Sequence, residues 1–434
     1  MMFMLEPLAL SKEFQGVLQQ LEYTDDHLFI TGKAGTGKST LLQVFRNTTK
    51  KRVAVLAPTG IAALNVRGQT IHSFFGFPPR LIHASDIEKR KNRKIYQNLD
   101  MIVIDEISMV RADMIDNINI FLRINRGINK PFGGVQMVFF GDMFQLPPVV
   151  ANPVERQYFS STYESPYFFS AHIMRLVSFQ MIELHEVYRQ AERKFIRLLD
   201  NIRQNEVGYD EIEEINERFV PIPEDKDFYI TLTSRNDIAN NINMAELGNI
   251  KGPVFEYKAS VSGEFNPQLF PTEFSLQLKE GAQVMFVKND PQKQFVNGTI
   301  GKIIELDQNK IMVNIPDDHN SNRVIEVIRQ DWEILKYDRD TDQPDKITTR
   351  IVGVFTQYPV KLAWAITIHK SQGKTFDRVI IDLGSGAFES GQTYVALSRC
   401  RTLEGIILKQ PVKPRDIIVD ERIRSYYEQI RYLS

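Results

Sequence analysis

The sequence predicts an α/β fold with two parallel-sheet domains, the second of which is interrupted by a small β module. Strand and helix patterns alternate through the first part of the chain and start again after about residue 171. A complete phosphate-binding loop follows the first strand, and short alternating strands replace the α/β pattern between about 252 and 355. Alternating strands and helices favour parallel sheets with helices on both faces, which bind ligands at the carboxyl ends of their strands.

The first domain is predicted to span residues 1–170. Its leading helix begins at Ser11, the expected N-cap, because apolar residues repeat at helical spacing from Phe14 to Leu21. Further apolar and amphipathic runs predict strands at 28–31, 53–57, 101–105 and 135–140, and helices at 61–65 and 113–125.

The second domain is predicted from two segments, 171–251 and 356–434, with residues 252–355 as the inserted β module. Its elements are a helix at 195–202, a strand at 229–233, a helix at 237–247, a strand at 378–383 and a helix at 393–399. The module includes strands at 300–306 and 311–315, which are joined by a polar turn. Because the α/β pattern resumes afterwards, the module is inserted rather than appended.

The composition carries no strong charge bias. Lys plus Arg number 53 against 54 Asp plus Glu, which opposes a broad basic face and predicts that any nucleic acid is held in a local channel. Apolar runs are far shorter than the ~20 residues that span a bilayer, so no membrane segment is predicted. The single cysteine, Cys400, excludes an internal disulfide and fits a reducing compartment. The chain begins near its first motif without a secretory signal, which predicts a cytoplasmic enzyme.

Residues 32–39, Gly-Lys-Ala-Gly-Thr-Gly-Lys-Ser, match the phosphate-binding loop (P-loop) in full, between a predicted strand and a predicted helix. The glycines let backbone amides point at phosphate oxygens, Lys38 neutralises the β and γ phosphates, and the Ser39 hydroxyl holds Mg²⁺. The chain has no Asn-Lys-x-Asp guanine-reading motif. The sequence therefore predicts ATP and Mg²⁺ as ligands, with these further residues at the nucleotide: Gly35, Thr36, Gly37 and Thr40.

Asp105 and Glu106 end a buried strand and complete the predicted chemistry. Beside a P-loop, Asp105 would anchor Mg²⁺ and Glu106 would orient and deprotonate the attacking water. On its own such a pair is also typical of an ordinary solvated strand end. The pair favours a hydrolase over a simple nucleotide switch.

Three more residues are candidates for the γ-phosphate side of the cleft. Gln145 lies in the motif Gly141 to Val149, where a glutamine amide can report whether ATP is intact; a proline-stiffened turn is the alternative. Arg189 and Arg399 lie in the second domain and could act as arginine fingers supplied in cis. Their alternative is a surface salt bridge.

The motifs, taken in order, resemble those of one helicase family over nearly the whole chain. They are the P-loop, Ala57 to Ala63, Thr70 to Phe74, Asp105-Glu106, Gly141-Asp142 with Gln145 to Pro148, Val187 to Gln190, Ala365 to Gly373 and Tyr394 to Arg399. The stretch Phe121 to Gln136 is similar to a signature of that family. The family is the Pif-one-like DNA helicases of superfamily one, in the B branch with the RecD-like enzymes.

This resemblance implies two RecA-like P-loop domains, a small insertion of the 1B type around 64–78, and an SH3-like β-barrel for residues 252–355. It implies Gln15 near the adenine, although Phe14 occupies the place where the family's glutamine often stands. It also implies Gly373 at the nucleotide, Gln145 and Arg189 at the γ-phosphate, and Arg399 as the finger of the last motif. Travel from 5′ to 3′ on DNA and action on G-quadruplexes follow from the resemblance alone.

The strand path is predicted on both α/β domains. On the first domain, resemblance assigns DNA contacts to Pro58, Thr59, Gly60 and Ala62, while His72 and Phe74 offer faces on which bases could stack. Core packing is the alternative for the aromatic residues. On the second domain and the module, the candidates are Thr233, Arg235, Asn297, His369, Lys370 and Ser371, as phosphate contacts or as a turn that touches the strand.

These observations together predict a monomeric ATP-dependent helicase that translocates on single-stranded DNA and unwinds forked duplexes and G-quadruplexes, in DNA repair, replication or telomere-type maintenance. Two alternatives stay open from the residues alone. Contacts to phosphates and base faces do not exclude RNA. A nucleotide-gated clamp that does not step would need no fast hydrolysis, which the carboxylate pair opposes.

Overall fold

The structure is a computed structural model that describes residues 10–78, 80–150, 152–316, 322–339 and 347–433. Its first half is built around a six-stranded parallel sheet with the strand order β3-β2-β4-β5-β1-β6. The strands are β1 (Leu28–Gly32), β2 (Val53–Ala57), β3 (Gln69–Thr70), β4 (Met101–Ile104), β5 (Gln136–Phe140) and β6 (Gln180–Leu184). The helices are α1 (Lys12–Tyr23), α2 (Lys38–Thr48), α3 (Gly60–Asn65), α4 (Ile71–Phe75), α5 (Lys94–Gln97), α6 (Ala112–Arg126) and α7 (Pro153–Thr162).

Both faces of this sheet are covered, as the apolar strands predict. In β4, Met101 and Val103 belong to one buried cluster and Ile102 and Ile104 to another on the opposite face. All four side chains are fully buried, which is typical of a central parallel strand. The predicted start of α1 is also confirmed, because the Ser11 hydroxyl accepts a hydrogen bond from the amide of Phe14.

The predicted end of the first domain is wrong. β6 pairs with β1 in parallel, so residues after 170 complete the first sheet instead of starting the second. Residues 64–78, predicted as a small insertion of the 1B type within this domain, supply β3 and α4, and Phe75 is fully buried in the core of the first half. Sequence patterns showed where strands occur but not which sheet they join.

The second half contains a four-stranded parallel sheet and an antiparallel insert. Its strands are β7 (Ile230–Thr233), β8 (Phe255–Lys258), β9 (Ser260–Gly263), β10 (Ser275–Leu278), β11 (Gln283–Phe286), β12 (Ile300–Leu306), β13 (Ile311–Pro316), β14 (Asn322–Glu326), β15 (Gln330–Arg339), β16 (Ile347–Gln357), β17 (Val360–Leu362), β18 (Ala365–Thr367), β19 (Val379–Asp382) and β20 (Ile406–Leu408). The helices are α8 (Arg193–Gln204), α9 (Tyr209–Asn216), α10 (Asn236–Asn249), α11 (Gln392–Leu397) and α12 (Glu421–Leu433). The parallel sheet has the order β18-β7-β19-β20, so its strands flank the insert in sequence.

The insert forms three antiparallel sheets, with the orders β10-β8, β14-β13-β12-β11-β17 and β15-β16-β9. Because β17 pairs with β11, the insert extends to Leu362, past the predicted limit at residue 355. The chain then enters β18 of the parallel sheet after only two residues. The junction between insert and parallel sheet is therefore short and direct.

The helix α12 does not pack with the second sheet, to which the sequence assigned it. Ile423 and Tyr427 belong to the core of the first half. The ring of Tyr427 meets Phe144 edge-on with the ring centroids 5.2 Å apart, and its hydroxyl donates to Glu183 at 2.5 Å. The last helix thus returns to the first half of the molecule.

The β15–β16 hairpin of the insert also reaches the first sheet. β3 pairs only with Leu56 and Ala57 of β2, so it leaves the earlier part of that edge open. The hydroxyl of Tyr337 in β15 fills this place by accepting a hydrogen bond from the amide of Val55 at 2.8 Å. The amide of Tyr337 in turn donates to Gln69 at 3.2 Å.

We expect Tyr337→Phe to lower the free energy of unfolding by about 1–3 kcal/mol, because the buried amide of Val55 loses its acceptor. Chemical denaturation followed by circular dichroism would measure the change. Tyr23→Phe is the matched control, since Tyr23 is 84% exposed and should lose nothing. Equal stability of both variants would show that the hydrogen bond from the Val55 amide to the Tyr337 hydroxyl contributes nothing to the free energy of unfolding.

Candidate nucleotide site and strand path

The P-loop runs from β1 into α2, with the amino end of α2 facing the cleft between the two halves. Gly35 has φ +88, and a Cβ atom there would lie 2.6 Å from Cβ of Arg189. The amide of Tyr188 donates to the carbonyl of Gly35 at 2.9 Å. Only glycine fits a loop that another segment approaches this closely.

One cavity of about 1080 Å³ collects nearly all the residues that the sequence assigned to ATP. Its lining includes Gly35, Thr36, Gly37, Lys38, Ser39, Thr40, Asp105, Glu106, Gln145, Arg189, Gly373 and Arg399. The first half supplies the P-loop and the carboxylates, and the second supplies Gly373 and Arg399. The two halves therefore share one nucleotide cleft.

The charged groups at the bottom of the cleft are buried and coupled. Burial, with Glu106 beside it, raises the pKa of Asp105 to about 7. Burial lowers the pKa of Lys38 to about 8, although Asp142 and Glu106 oppose that shift. The Lys38 ammonium donates to the loop carbonyls of Gly32 at 2.6 Å and Lys33 at 2.9 Å.

Glu106 is held in an unusual backbone conformation. Its φ of 50° and ψ of 47° lie in the left-handed region, which is costly for a residue with a side chain. Burial raises the pKa of its carboxyl group, with Lys38 opposing. A strained backbone and a buried carboxyl group at this position are typical of a general base and not of an ordinary solvated residue at the end of a strand.

The two candidate arginine fingers are anchored to the same segment. Arg189 donates to the carbonyl of Ser398 at 3.1 Å, and Arg399 donates to the hydroxyl of Ser398 at 2.8 Å and to the carbonyl of Val395 at 2.9 Å. Burial lowers the pKa of both guanidinium groups, and Arg399 lowers that of Arg189 further. In the described structure neither arginine forms a surface salt bridge, so that alternative is wrong.

Sequence reasoning missed a buried ion pair that joins the two halves beside Gln145. Arg203 of α8 donates to Asp142 at 3.0 Å, and its side chain is 1% exposed. Burial alone would raise the pKa of Asp142, but Arg203 and Lys38 outweigh it and hold that pKa below its usual value. The only sequence signal was an arginine on the apolar face of α8, next to Ile202.

Tyr394 of α11 joins this pair to the P-loop. Its hydroxyl donates to Asp142 at 3.3 Å and accepts from the amide of Ala34 at 2.8 Å. At the start of α11, Gly391 has φ +74, and a Cβ atom there would lie 2.3 Å from the carbonyl oxygen of Phe144. The loop that carries Gln145 and the helix that precedes Arg399 are therefore in direct contact.

Gln15, predicted near the adenine, does not line the cleft. Its amide donates to the carbonyl of Leu10 at 2.9 Å, and the side chain is exposed. The aromatic rings of Phe14 and Tyr188 stand beside Gly37 instead, with centroids 6.0 Å apart. Phe14, which departs from the family's pattern, is the residue of α1 that reaches the P-loop.

The strand-binding candidates of the first half are only partly brought together. Pro58, Thr59 and His72 line a second cavity of about 310 Å³, and Thr59 caps α3 by accepting from the amide of Ala62 at 3.2 Å. Phe74 is buried against Phe75, Tyr96 and Tyr337, so its prediction as a stacking surface is wrong. The Phe74 ring is buried in the apolar core, so it offers no exposed face on which a base could stack.

Gly60 lies under the insert. A Cβ atom at Gly60 would lie 2.3 Å from the side chain of Leu269, and Leu64 of α3 packs against the insert's cluster around Phe355. In this arrangement the insert packs against Gly60 and Leu64, while Thr59 and Ile61 stay exposed.

Two candidates of the second half are also corrected. Thr233 and Ser371 are fully buried, and their hydroxyls donate to the carbonyls of Arg235 and Ile368, so their predicted strand contacts are wrong. Lys370 and Arg235 are exposed at the carboxyl ends of β18 and β7, where Arg235 pairs with Asp237.

His369 and Asn297 occupy more structured places. His369 lies 3.3 Å from Glu389. Asn297, from the insert, lines the nucleotide cavity and donates to Asn65 of α3 at 3.4 Å. Asn297 thus lies where the insert comes close to the first half, whereas the contact of His369 stays within the second half.

The fold and the site together define a P-loop ATPase in which two parallel-sheet halves of one chain enclose the nucleotide. A family model described as PIF1-like helicase matches residues 9–213, and one described as the 2B domain of DNA helicase Pif1 matches residues 264–306. The ATP-dependent DNA helicase Pif1 of Bdellovibrio bacteriovorus is 32% identical over 437 residues, which cover 98% of this chain and 93% of that protein. The chain belongs to the PIF1-like helicase family, as the sequence predicted.

The vertebrate relatives are longer than this chain. The ATP-dependent DNA helicase PIF1 of Xenopus laevis is 33% identical over 424 residues, which cover 93% of this chain and 62% of that protein. The chain thus matches under two thirds of the length of such relatives.

Solved structures of Pif1 from Bacteroides sp confirm the mixed α/β fold with RecA-like parallel-sheet cores. The complex with ADP-AlF4 has a TM-score of 0.89 at 35% identity, over 98% of each chain. The form bound to single-stranded DNA has a TM-score of 0.69 at 37% identity, over 97% of this chain and 96% of that one. The unliganded form has a TM-score of 0.88 at 36% identity, so at almost equal identity the arrangement described here is closer to the forms without DNA than to the form with DNA.

We expect Gly35→Ala to weaken ATP binding by about tenfold or more, because a side chain at positive φ costs about 1–2 kcal/mol and Arg189 blocks the space. Titration with a fluorescent ATP analogue would measure it. Gly16→Ala is the control: Gly16 lies inside α1 with no atom within 4 Å of a new Cβ atom, so ATP binding should be unchanged. Normal ATP affinity in Gly35→Ala would contradict the role of this loop.

Proposed function

We propose that this chain is an ATP-dependent DNA helicase that translocates on single-stranded DNA. One observation carries the proposal: residues from both halves line one nucleotide cleft, with the carboxylate pair on the first half and Arg399 on the second. A cleft built in this way changes its opening when the γ-phosphate is bound or lost. Membership of the PIF1-like helicase family supports DNA as the track.

ATP binds with its phosphates at the amino end of α2, where backbone amides and Lys38 contact the oxygens. The hydroxyl of Ser39 and the carboxylate of Asp105 are hard oxygen donors that fit Mg²⁺. Burial raises the pKa of Asp105, and a cation bound beside it would keep this buried carboxylate ionised. Mg²⁺ bound there neutralises charge on the phosphates.

The chain's own groups then carry the hydrolysis. Glu106 accepts a proton from the attacking water, and its raised pKa suits this task. Gln145 orients the water or the γ-phosphate, while Arg189 and Arg399 balance the charge that develops on the transferred group. Loss of the γ-phosphate removes the partner of both arginines, so the second half relaxes relative to the first.

The relatives support DNA as substrate without fixing the details. A solved Bacteroides Pif1 is bound to single-stranded DNA, and a further Pif1 helicase structure concerns unwinding at forked duplex DNA. Travel from 5′ to 3′, unwinding of G-quadruplexes and roles in repair, replication or telomere-type maintenance belong to the proposal on the basis of the family resemblance. A monomer suffices, because both arginines come from the chain that carries the P-loop. A cytoplasmic location stays a prediction.

Steady-state ATP hydrolysis without nucleic acid, with single-stranded DNA, and with single-stranded RNA of equal length tests the proposal. We expect strong stimulation by DNA alone, followed by unwinding of a forked duplex with a 5′ tail. Equal stimulation by RNA would favour an RNA helicase. No stimulation by either would leave a clamp or another ATPase in place of a translocase.

Glu106→Gln should bind ATP and single-stranded DNA but lose about 100-fold or more of its turnover, the usual contribution of a general base. A coupled ATPase assay and a nucleotide titration would separate these effects. Glu404→Gln, at an exposed site, is the control and should behave as the unaltered chain. Unchanged turnover in Glu106→Gln would remove that residue from its assigned role.

A further inference from the structure

Three lysines come from one short segment that links the insert to the second parallel sheet. Lys361 lies in β17, opposite Met285 at the edge of the insert's five-stranded sheet. Lys370 and Lys374 follow β18, after the chain has entered the parallel sheet. Residues 361–374 thus carry three cations across the junction of the two units.

Lys374 is buried, Lys361 is half-buried and Lys370 is exposed, and none of the three has a carboxylate partner in the described residues. Lys374 is only 7% exposed, and its ammonium donates to the neutral amide oxygen of Asn297 at 2.6 Å. Within the ranges that the structure describes, neither Lys361 nor Lys370 nor Lys374 forms an ion pair. The carboxylate of Glu273, which raises the pKa of Lys361, already accepts a hydrogen bond from the Thr272 hydroxyl at 2.9 Å.

The electrostatics agree with an uncompensated cluster. Burial lowers the pKa of Lys374 to about 7, and Lys361 lowers it further. Burial also lowers the pKa of Lys361 to about 8, with Glu273 opposing and Lys370 adding repulsion. Burying a charge without a partner is costly, so an arrangement of this kind is expected where an anion completes the site.

The cluster adjoins both the nucleotide cavity, which Asn297 lines, and the predicted strand path. Asn297 also reaches Asn65 of α3, the helix whose first turn carries the predicted strand contacts. Lys38 of the P-loop is a separate cation, whose ammonium donates to the loop carbonyls of Gly32 and Lys33.

We propose that Lys361 and Lys374, together with Lys370, form a binding site for a backbone phosphate of the single strand. The inference rests on the proposed function and extends it from Lys370, a predicted strand contact, to Lys361 and Lys374, which the motifs did not assign. The site holds the strand at the junction of the second sheet and the insert. Because Lys374 of the second half donates a hydrogen bond to Asn297 of the insert, both units contribute residues to this phosphate site.

Salt dependence of strand binding provides the test. For single strands, each phosphate contact contributes about 0.7 to the slope of log K against log salt. We expect the double variant Lys361→Gln/Lys374→Gln to bind an oligo-dT strand at least tenfold more weakly at low salt. Its slope should be less steep by about 1.4, which is about 0.7 for each of the two contacts removed. Fluorescence anisotropy at four or five salt concentrations gives both values.

Two matched variants distinguish a phosphate contact from a structural role. Lys361→Arg/Lys374→Arg keeps both charges and should keep the slope. Lys413→Gln removes an exposed lysine of the second half, outside the cluster, and should change neither quantity. A thermal melt of each protein before the titration shows that it is folded, and a glutamine variant that does not fold is replaced by Lys361→Met/Lys374→Met.

The outcomes separate the inference from the function on which it rests. If the unaltered chain does not bind the strand, the proposed function fails. If it binds and the glutamine variant keeps the full slope, the phosphate site is wrong, whether or not the affinity falls. A reduced slope in the glutamine variant, with the slope retained in the arginine variant, supports the site.

Discussion

The buried ion pair between Asp142 and Arg203 is the constraint on which the arrangement of the two halves depends. Each member comes from a different half, and both side chains are almost fully excluded from water. Breaking such a pair while its members stay buried costs about 3–5 kcal/mol, because a charge is left uncompensated. Ala34 of the P-loop and Leu146 of the adjacent loop also pack in the core of the second half. The nucleotide cleft therefore lies between two halves that are joined by this ion pair and by these apolar contacts.

This ion pair lies beside the loops that carry the γ-phosphate candidates of the two halves. Asp142 lies three residues before Gln145, and Tyr394 lies five residues before Arg399 on the opposite side. The hydroxyl of Tyr394 bonds to Asp142 and to the P-loop amide of Ala34. These bonds therefore join the loop that carries Gln145, the P-loop and the helix that precedes Arg399.

Sequence patterns predicted what local chemistry determines. β2 and β12 begin and end at the predicted residues, and Ser11 caps α1, because strand hydrophobicity and capping depend on a few neighbouring residues. The P-loop, Glu106 and Arg399 were identifiable because phosphate chemistry demands those residue types in a fixed order.

What the sequence could not predict depends on contacts between distant segments. Phe74 looks the same in sequence whether it stacks on a base or on Tyr337, which lies more than 260 residues away in the chain. Arg203 is one cation on an amphipathic helix until Asp142 is placed opposite it. β6 has an ordinary strand pattern, and only pairing with β1 assigns it to the first sheet.

The insert connects these features with nucleic acid. A chain with net charge −1 has no general attraction for a polyanion, so affinity has to come from local cations whose charge is not already balanced. One such cation, Lys374, donates to Asn297 on a turn that also contacts Asn65 at the end of α3, while Leu269 packs against Gly60 at the start of the same helix. The insert therefore contacts the first half at both ends of α3, close to the turn that carries the predicted strand contacts.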